Sequence, residues 1–227
     1  MANIPRHIGI ILDGNRRWAK QHALSVALGH SNGVDGTTRI VKHCVARGVE
    51  YLTVYGFSIE NWQRTDEVPH LMRIFEDYAR TQKTELVQNG VRVQIMGQID
   101  RLPKSLRLAL HELLETTKNN QKLTLTLCLS YGGRNEIVRA VQTLIEKGVK
   151  ANNITEEIIG AHLDSQGIPD PDLIIRTSGE QRLSGFLTWQ SSYSELYFTP
   201  TLWPDFDETE LDKAITWYQE RSRRRGK

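Results

Sequence analysis

Arginine, carboxylate, hydroxyl and glycine residues are concentrated in four short segments of this 227-residue sequence. The segments are DGNRRW (residues 13–18), FSIENWQR (57–64), GGR (132–134) and RTSGEQRLS (176–184). The guanidinium group of arginine matches phosphate oxygens in a bidentate way, and glycine lets the backbone approach a ligand closely. A helix that begins just after residue 14 would also direct free N–H groups at an anion. The segments therefore predict a site for phosphorylated ligands.

Asp13 is out of place in an anion site unless a cation lies beside it. A carboxylate repels phosphate oxygens, whereas Mg²⁺ commonly binds one or two carboxylates together with substrate phosphates. Glu195 lies among aromatic residues in the segment YSELYF, so it too needs a partner, either a metal or an arginine. The structural alternative for Asp13 is an ordinary Asx turn followed by solvent-facing arginines. Mg²⁺ is the cofactor that the functional interpretation requires.

The other segments also have structural alternatives. His30 could donate to a phosphate or transfer a proton, or it could be a helix-start or core residue. Residues 57–64 could be a polar loop with Trp62 as a packing anchor, and residues 176–184 a surface loop whose arginines pair with Glu180. Several apolar residues at strand or helix spacing could belong to the core or line an apolar channel. They are Leu71, Ile74, Phe75, Tyr78, Leu125, Leu127 and Leu129.

Several known catalytic motifs are absent from the sequence, which reduces the number of reactions that it could support. The sequence has no Ser–His–Asp signature, no reactive-cysteine context, no zinc-ligand spacing and no GxxxxGK[ST] or GxGxxG motif. Diphosphate binding with Mg²⁺ beside apolar surface fits the ionisation of an allylic diphosphate. Arginines, other donors and the metal would stabilise the leaving group, while an apolar pocket would keep the carbocation-like fragment from water.

Helix-like and strand-like segments alternate along the chain without an internal repeat. Strands are predicted at residues 7–12, 51–57, 91–96, 123–129, 173–175 and 196–198, and helices at residues 34–49, 67–88, 105–117, 136–147, 156–163 and 208–221. Helices of this length between strands favour an α/β fold with a mainly parallel sheet covered on both faces. Such sheets bind ligands at the carboxyl ends of their strands, and all four polar segments follow predicted strands.

Composition excludes several classes of protein. The 29 Lys and Arg residues nearly balance the 27 Asp and Glu residues, and the net charge of +2 does not indicate a nucleic-acid-binding protein. Only two cysteines occur, Cys44 and Cys128, and they lack CxxC spacing. No apolar stretch of about 18 residues is present, and residues 1–6 lack a secretion signal. A cytoplasmic protein is expected.

Five segments resemble the cis-prenyltransferases, most closely the bacterial undecaprenyl diphosphate synthases. They are HIGIILDGNRRWAK (7–20), GH (29–30), YGFSIENWQR (55–64), SYGGRNEI (130–137) and IIRTSGEQRLSGFLTWQSSYSELYFTPTLWPDF (174–206). The resemblance implies a single domain over residues 1–227, a mostly parallel sheet flanked by helices, an apolar tunnel and a homodimer. It implies that isopentenyl diphosphate is added to farnesyl diphosphate in Z geometry with Mg²⁺. The implied product is a long-chain polyprenyl diphosphate, expected to be the undecaprenyl lipid carrier precursor of cell-wall synthesis.

The resemblance also implies roles for individual residues. Asp13 would hold Mg²⁺ and would be catalytic together with His30 and Asn61. Glu195 would be a second metal-linked carboxylate that could reach the partner subunit's site, and Arg224 would contribute across the dimer. The residues implied in substrate binding are Gly14, Asn15, Arg16, Arg17, Trp18, His30, Phe57, Ser58, Glu60, Asn61, Trp62, Arg64, Arg176, Arg182 and Ser184.

Three positions depart from the family pattern. Val26 stands where arginine is usual, Gly185 where asparagine is usual, and Arg225 where an aromatic residue is common. The loss of arginine at position 26 predicts weaker or altered binding of the allylic diphosphate, which leaves open a short-chain, medium-chain or branched-product synthase. A non-catalytic partner subunit is the other alternative, although the intact Asp13 and Arg176 argue against it. The basic residues 222–227 could bind a phosphate, an anionic lipid or RNA, or they could be a solvated end.

Overall fold

The computed structural model describes residues 4–221, which form an α/β domain around one six-stranded sheet. The strands are β1 (His7–Ile11), β2 (Tyr51–Ser58), β3 (Val91–Met96), β4 (Leu123–Tyr131), β5 (Leu173–Arg176) and β6 (Glu195–Phe198). The helices are α1 (Asn15–Gln21), α2 (Val26–Arg47), α3 (Val68–Thr81), α4 (Lys83–Gln88), α5 (Lys104–Thr117), α6 (Gly133–Glu146), α7 (Glu156–Gly160) and α8 (Glu208–Glu220). Short 3₁₀ turns cover Ile59–Gln63, Ile99–Arg101, Ala151–Asn153, Gln190–Tyr193 and Trp203–Asp205.

All strand pairs are parallel, and the strand order is β3–β4–β2–β1–β5–β6. This confirms the predicted fold class. The five residues of β1 are all buried because helices cover both faces of the sheet, which explains why this strand is a continuous apolar run. The observed bounds of β3 equal the predicted ones, and the other strands differ from prediction by one or two residues at an end.

Helix α2 begins earlier than the predicted helix at residues 34–49. Its first turn is capped by Ser25, whose side chain accepts a hydrogen bond from the N–H of Leu28. It ends at Arg47, two residues before the predicted end, and the following Gly48 has the left-handed conformation common after a helix (φ 78°). The earlier start was missed because small residues replace the usual apolar stripe: Gly29 and Gly33 are buried there.

The predicted helix at residues 67–88 is two helices, α3 and α4, separated at Gln82. The Thr81 hydroxyl donates to the Asp77 carbonyl 2.7 Å away, four residues back along the chain. Such back-bonding can bend a helix, but the same bond from Thr37 and from Thr143 leaves α2 and α6 continuous. The prediction of one continuous helix was wrong, although its apolar stripe, including Leu71 and Tyr78, is buried as expected for a core-facing side.

The neighbouring strands β1 and β5 lie where the direction of the chain across the sheet reverses. From β1 the chain crosses to β2 on one side, and from β5 it crosses to β6 on the other. Loops that leave such a point diverge and open a crevice at the carboxyl ends of the strands. The segments after these two strands begin at residues 12 and 177, and a ligand is expected to bind between them. Within residues 4–221, no helix is long and apolar enough to cross a bilayer.

Candidate active site

A cavity of about 1220 Å³ opens at the carboxyl edge of the sheet. Its rim is polar, and most of the residues implied in binding or catalysis line it. These are Asp13, Asn15, Arg17, His30, Ser58, Glu60, Asn61, Arg64, Arg176, Arg182 and Ser184. Its interior is apolar and is lined by Val54, Leu71, Ile74, Phe75, Tyr78, Leu110, Leu127 and Leu129, among others. The volume exceeds that of a typical small-molecule pocket and combines charged and hydrocarbon-like surface.

The centre of the rim is an ion pair between Asp13 and Arg176. Arg176 ends β5 in register with Ile11 of β1, so the sheet itself brings the two side chains together. Arg176 Nη2 donates to Asp13 Oδ2 at 2.8 Å, and only 4% of Arg176 is exposed. Burial by itself would raise the pKa of the Asp13 carboxyl, but the hydrogen bond and charge of Arg176 outweigh that effect and lower it. Asp13 is therefore ionised at neutral pH.

Arg176 also fixes the loop that follows its own strand. Its Nη1 donates to the carbonyl of Arg182 at 2.5 Å and to the hydroxyl of Ser184 at 2.9 Å. Ser184 adopts a left-handed backbone (φ 50°), which is uncommon for a residue other than glycine and holds the loop in a tight turn. The Nε–H of Arg176 is buried and has no acceptor among residues 4–221, so a bound anion would satisfy it.

Arg17 closes the same group from α1. Its guanidinium donates to the Ser178 carbonyl at 2.9 Å and also bonds to the Ser178 hydroxyl. Its Nη2 lies 3.7 Å from Asp13 Oδ1 and 3.8 Å from Glu180 Oε1. Glu180 pairs with Arg182 as well, at 2.5 Å, as the surface-loop alternative predicted. The pairing does not remove these arginines from the cavity, since both line it.

The predictions missed Thr177 and Ser178 as positioning residues. Thr177 donates its hydroxyl to the Asp13 carbonyl at 2.6 Å, and it accepts from the Asp13 N–H at 3.0 Å. Ser178 has a left-handed backbone (φ 76°) and presents two acceptors to Arg17. The available signal was their place directly after the buried strand β5. Together they attach the loop after β5 to the loop after β1.

Asn15 occupies the start of α1 and packs closely on α2. A Cβ at Gly33 would lie 2.3 Å from Asn15 Oδ1, and one at Gly29 would lie 2.4 Å from the Asn15 carbonyl. The two glycines therefore allow the start of α1 to lie directly on α2. Asn15 Oδ1 is buried and has no hydrogen-bond donor among the described residues.

His30 faces the cavity from α2, with its Nε2 3.7 Å from Glu67 Oε2. Burial lowers the pKa of the His30 imidazole more than the neighbouring Glu67 carboxylate raises it, so the net shift is downward. The neutral form is favoured, which suits a hydrogen-bonding role beside a diphosphate. Arg16 also pairs with Glu67, at 3.3 Å, but Arg16 is more than half exposed and does not line the cavity.

The segment after β2 folds into the 3₁₀ turn Ile59–Gln63. The Asn61 side chain accepts from the Ser58 N–H at 2.9 Å, so it shapes the turn from inside. Phe57 and Trp62 do not line the cavity. Phe57 is buried, and its ring meets the Trp62 ring edge-on at 5.1 Å, which agrees with Trp62 as a packing anchor. Ser58, Glu60, Asn61 and Arg64 do line the cavity.

Two other implied residues, Gly14 and Trp18, lie outside the cavity. Gly14 has a φ of 115° and precedes α1, where a Cβ would come within 3.0 Å of Leu202. Trp18 donates its indole N–H to Asp205 at 2.7 Å and stacks on His22. Through these contacts Gly14 and Trp18 stabilise the packing of α1 against the segment that contains Leu202 and Asp205. Their roles in substrate binding stay predictions.

Glu195 lies at the opposite end of the sheet. It pairs with Leu173, the first residue of β5. Arg176 is the last residue of β5, and Asp13 lies two residues after the end of β1. Its carboxylate binds Arg221 Nε at 3.2 Å. A role for Glu195 in a partner subunit's metal site therefore stays a prediction. Arg224 and Arg225, with the rest of residues 222–227, lie outside the described residues.

Comparison with known proteins decides the family. Residues 11–226 match the prenyltransferase family described as undecaprenyl diphosphate synthase. This chain belongs to that family. An isoprenyl transferase of Fusobacterium nucleatum is 48% identical over 99% of this chain and 96% of its own. The isoprenyl transferase of Neisseria gonorrhoeae is 47% identical over 99% of this chain and 90% of its own. The predicted prenyltransferase activity is confirmed at this level.

Two solved structures share the fold over nearly the whole chain. The crystal structure of lavandulyl diphosphate synthase from Lavandula x intermedia, in complex with dimethylallyl diphosphate, has a TM-score of 0.94 and 37% identity, with 99% of each chain covered. That of a probable undecaprenyl diphosphate synthase from Campylobacter jejuni has a TM-score of 0.84 and 31% identity, covering 99% of this chain and 100% of the other.

The residues at the rim fit a divalent cation that arrives with a diphosphate. One oxygen of Asp13 accepts from Arg176, while the other lies at the longer distance of 3.7 Å from Arg17. Among residues 4–221, no group of three or more histidine, cysteine or acidic side chains could hold a metal. One carboxylate completed by substrate phosphates is the usual arrangement for Mg²⁺, and Asp13 is the residue that would hold it.

Proposed function

We propose that this cis-prenyltransferase adds isopentenyl diphosphate to an allylic diphosphate in Z geometry, and that it extends farnesyl diphosphate to a long-chain product such as undecaprenyl diphosphate. One observation carries the proposal: the same cavity has a polar rim with the arginines Arg17, Arg176 and Arg182 close to Asp13, and an apolar interior. A polyprenyl diphosphate has this division between a charged head and a hydrocarbon tail. The implied use of the product is as the lipid carrier of cell-wall synthesis.

The residues divide between two head groups. Asn15, Arg17 and His30 line one side of the rim and would bind the allylic diphosphate. Arg176, Arg182 and Ser184 form a connected group on the other side and would bind isopentenyl diphosphate. Mg²⁺ held by Asp13 would supply charge neutralisation of the departing diphosphate. The guanidinium groups would stabilise the same developing charge, and the apolar interior would exclude water from the allylic fragment.

The turn that carries Asn61 would complete the site from above β2. Asn61 and Glu60 line the cavity on the 3₁₀ turn that follows β2. Asn61 already uses its carbonyl oxygen within the turn, which leaves its amide group free to donate to a ligand. We assign Asn61 the positioning of substrate near the reacting carbon atoms.

A second candidate is a synthase with a short or branched product, and two observations favour it. Val26 replaces the usual arginine, which weakens the case for farnesyl diphosphate as the allylic substrate. The lavandulyl diphosphate synthase structure, which contains dimethylallyl diphosphate, has the same fold with a TM-score of 0.94. In this alternative the rim binds two short isoprenoid diphosphates and the chain is not extended repeatedly.

Product analysis separates the two candidates. The protein is incubated with Mg²⁺ and labelled isopentenyl diphosphate, with either farnesyl or dimethylallyl diphosphate, and the dephosphorylated lipid is sized. A ladder that ends in long Z products supports the first candidate. A single C10 or branched product supports the second candidate, as does product formation with dimethylallyl diphosphate but not with farnesyl diphosphate. No product in any mixture, with Mg²⁺ present, would contradict both and favour a non-catalytic partner subunit.

The proposal extends to assembly and location. A homodimer in the cytoplasm, with peripheral contact to a membrane when a long lipid is released, follows from the family resemblance. Light scattering on the purified protein tests the dimer. Co-sedimentation with vesicles that contain the lipid product tests the membrane contact. A monomer at micromolar concentration that is fully active would remove the dimer from the proposal.

A further inference from the structure

Trp62 is held from outside the cavity by an arginine that no other part of the site uses. The Arg101 Cζ lies 5.1 Å from the centroid of the Trp62 ring. The indole N–H of Trp62 donates to the Ser130 hydroxyl at 2.9 Å, and the Phe57 ring meets the indole edge-on. Trp62 is therefore fixed on three sides by residues from three different segments.

Ser130 connects these segments. It is fully buried near the end of β4, and its left-handed backbone (φ 51°) turns its groups toward its neighbours. Its hydroxyl binds Trp62, while its carbonyl accepts from the Gln98 N–H at 3.1 Å. The Gln98 side chain in turn accepts from Arg101 Nη1 at 3.3 Å. One buried residue thus fixes both the indole and the segment that places the guanidinium over it.

Arg101 has no ion pair among residues 4–221. The adjacent carboxylate, Asp100, lies 3.7 Å from Arg107 instead. A guanidinium without a carboxylate partner, positioned over an indole, makes a favourable cation–π contact. The charge of Arg101 is therefore directed to Trp62 and is not neutralised elsewhere in the described part of the chain.

We propose that Arg101 is a positioning residue for the 3₁₀ turn Ile59–Gln63. It acts through the Trp62 ring, and it keeps Glu60 and Asn61 at the cavity. The contact itself is a property of the fold, whereas its effect on catalysis rests on the proposed function. Arg101 lies outside the cavity and does not touch the substrates.

Limited proteolysis tests the contact without any need for activity. The peptide bond after Arg64 lies in the exposed segment that follows the turn, and trypsin cleaves after arginine. When the turn detaches only transiently, the cleavage rate follows the population of the open form. Arg101→Met keeps the aliphatic stem but removes the charge, so cleavage after Arg64 should become about two- to fivefold faster. Arg101→Lys keeps a charge and should lie between Arg101→Met and the wild type.

A matched control is available at another cation–π contact. The Arg6 Cζ lies 5.4 Å from the centroid of the Tyr51 ring, at the opposite end of the sheet. Arg6→Met should leave cleavage after Arg64 unchanged. In a Trp62→Leu background, which lacks the ring, Arg101→Met should add nothing further. Equal cleavage in Arg101→Met and wild type would overturn the proposal, as would the same added effect in the Trp62→Leu background.

Kinetics give a second measurement. The contact acts on the fraction of protein whose turn is ordered, so Arg101→Met should raise KM for the diphosphate substrates and preserve kcat. A fall in kcat at unchanged KM would contradict this role. An inactive wild-type protein would remove the proposed function instead, and the proteolysis result would still decide whether Arg101 holds the turn.

Discussion

Asp13 holds the two halves of the rim together and is the residue on which the proposed chemistry depends most. Asp13→Asn keeps the size of the side chain and removes its charge. We expect kcat to fall on the order of 10²-fold or more, because both the site for Mg²⁺ and the compensation of Arg176 are lost. Steady-state kinetics with saturating Mg²⁺ measure the change. A turnover within threefold of the wild type would remove Asp13 from the mechanism.

The same substitution has a structural cost that must be measured alongside. Arg176 is 4% exposed, so the loss of its carboxylate partner leaves a buried charge uncompensated. Removal of one partner of a buried pair typically costs about 3–5 kcal/mol, and the half-exposed Asp13 places this case toward the lower end or below it. The free energy of unfolding of Asp13→Asn, measured by urea denaturation at the assay temperature, shows whether the variant is still folded during the kinetic measurement.

Val26 is the first residue of α2, and His30 follows one helical turn later on the same face. Val26→Arg would add a guanidinium beside the part of the rim assigned to the allylic diphosphate. We expect KM for that substrate to fall by roughly tenfold, as for a hydrogen bond to a charged group, with kcat unchanged. Val26→Met, which has a similar length but no charge, is the control. The same decrease in Val26→Met would show that the charge is not the cause.

The residue types and their places after strands were sufficient to predict most of the rim. Asp13 and Arg176 follow apolar runs long enough to be identified as buried strands, and parallel strands bring their carboxyl ends to one edge. The position of Glu195 could not be predicted in this way. Its place at the opposite end depends on the register of β6 against β5, which long-range pairing decides. Trp62 agrees with the alternative of a packing anchor, whereas the burial of Phe57 against Trp62 and Phe75 depends on ring contacts that the sequence pattern does not show.

Among the elements, the close packing of α1 on α2 gives a sharp prediction at Gly33. An alanine Cβ there would lie 2.3 Å from Asn15 Oδ1, so Asn15 must move. We expect Gly33→Ala to lower the free energy of unfolding by about 1–3 kcal/mol, as for overpacked sites, and to raise KM because Asn15 lines the cavity. Chemical denaturation and kinetics on the same protein measure both effects.

Gly36, on the same helix, is the matched control. A Cβ at Gly36 would meet no atom closer than 3.8 Å, and the residue lies in the helix interior. Gly36→Ala should therefore raise the free energy of unfolding by about 0.5–1 kcal/mol, since alanine favours a helix more than glycine does. If Gly33→Ala and Gly36→Ala change the free energy of unfolding in the same direction, the contact with Asn15 is not what excludes a larger side chain at position 33.

At the scale of the elements, the sequence predicted apolar stripes better than helix ends. The break at Gln82 falls within a continuous apolar stripe, so the periodicity of the sequence does not mark it. The early start of α2 depends on Ser25 as a cap and on glycines that make room for α1. The start of α2 is decided by contacts with specific neighbouring atoms, and neither boundary follows from periodicity. This is why the stripes could be predicted and the boundaries could not.

For the whole molecule, His7 links folding to pH. It is 2% exposed in β1. Its Nδ1 lies 2.6 Å from the Pro169 carbonyl, and its Nε2 lies 2.8 Å from the Thr53 hydroxyl. A carbonyl can only accept, so Nδ1 carries the hydrogen and Nε2 accepts from Thr53. The neutral ring is therefore fully bonded, and burial lowers the pKa of His7 from 6.5 to about 4.

This shift fixes the direction of the pH dependence. Between pH 6.5 and about 4 the unfolded chain binds a proton at His7 that the folded protein does not, so stability falls as the pH falls through this range. The contribution of His7 approaches about 3 kcal/mol at the acid end. His7→Gln should lessen the loss of unfolding free energy between pH 7 and pH 4.5, measured by urea denaturation. The lowered pKa of His30 acts in the same direction, so part of the loss should remain.

His111, which is exposed on α5, provides the control for the loss of one histidine as such. His111→Gln, measured at the same two pH values, shows how much of any change comes from the loss of one exposed histidine. An unchanged difference in unfolding free energy between the two pH values in His7→Gln would mean that the imidazole is accessible to protons in the folded state. That result would require β1 to open locally at its first residue, on the strand whose other end leads to Asp13 and the rim of the cavity.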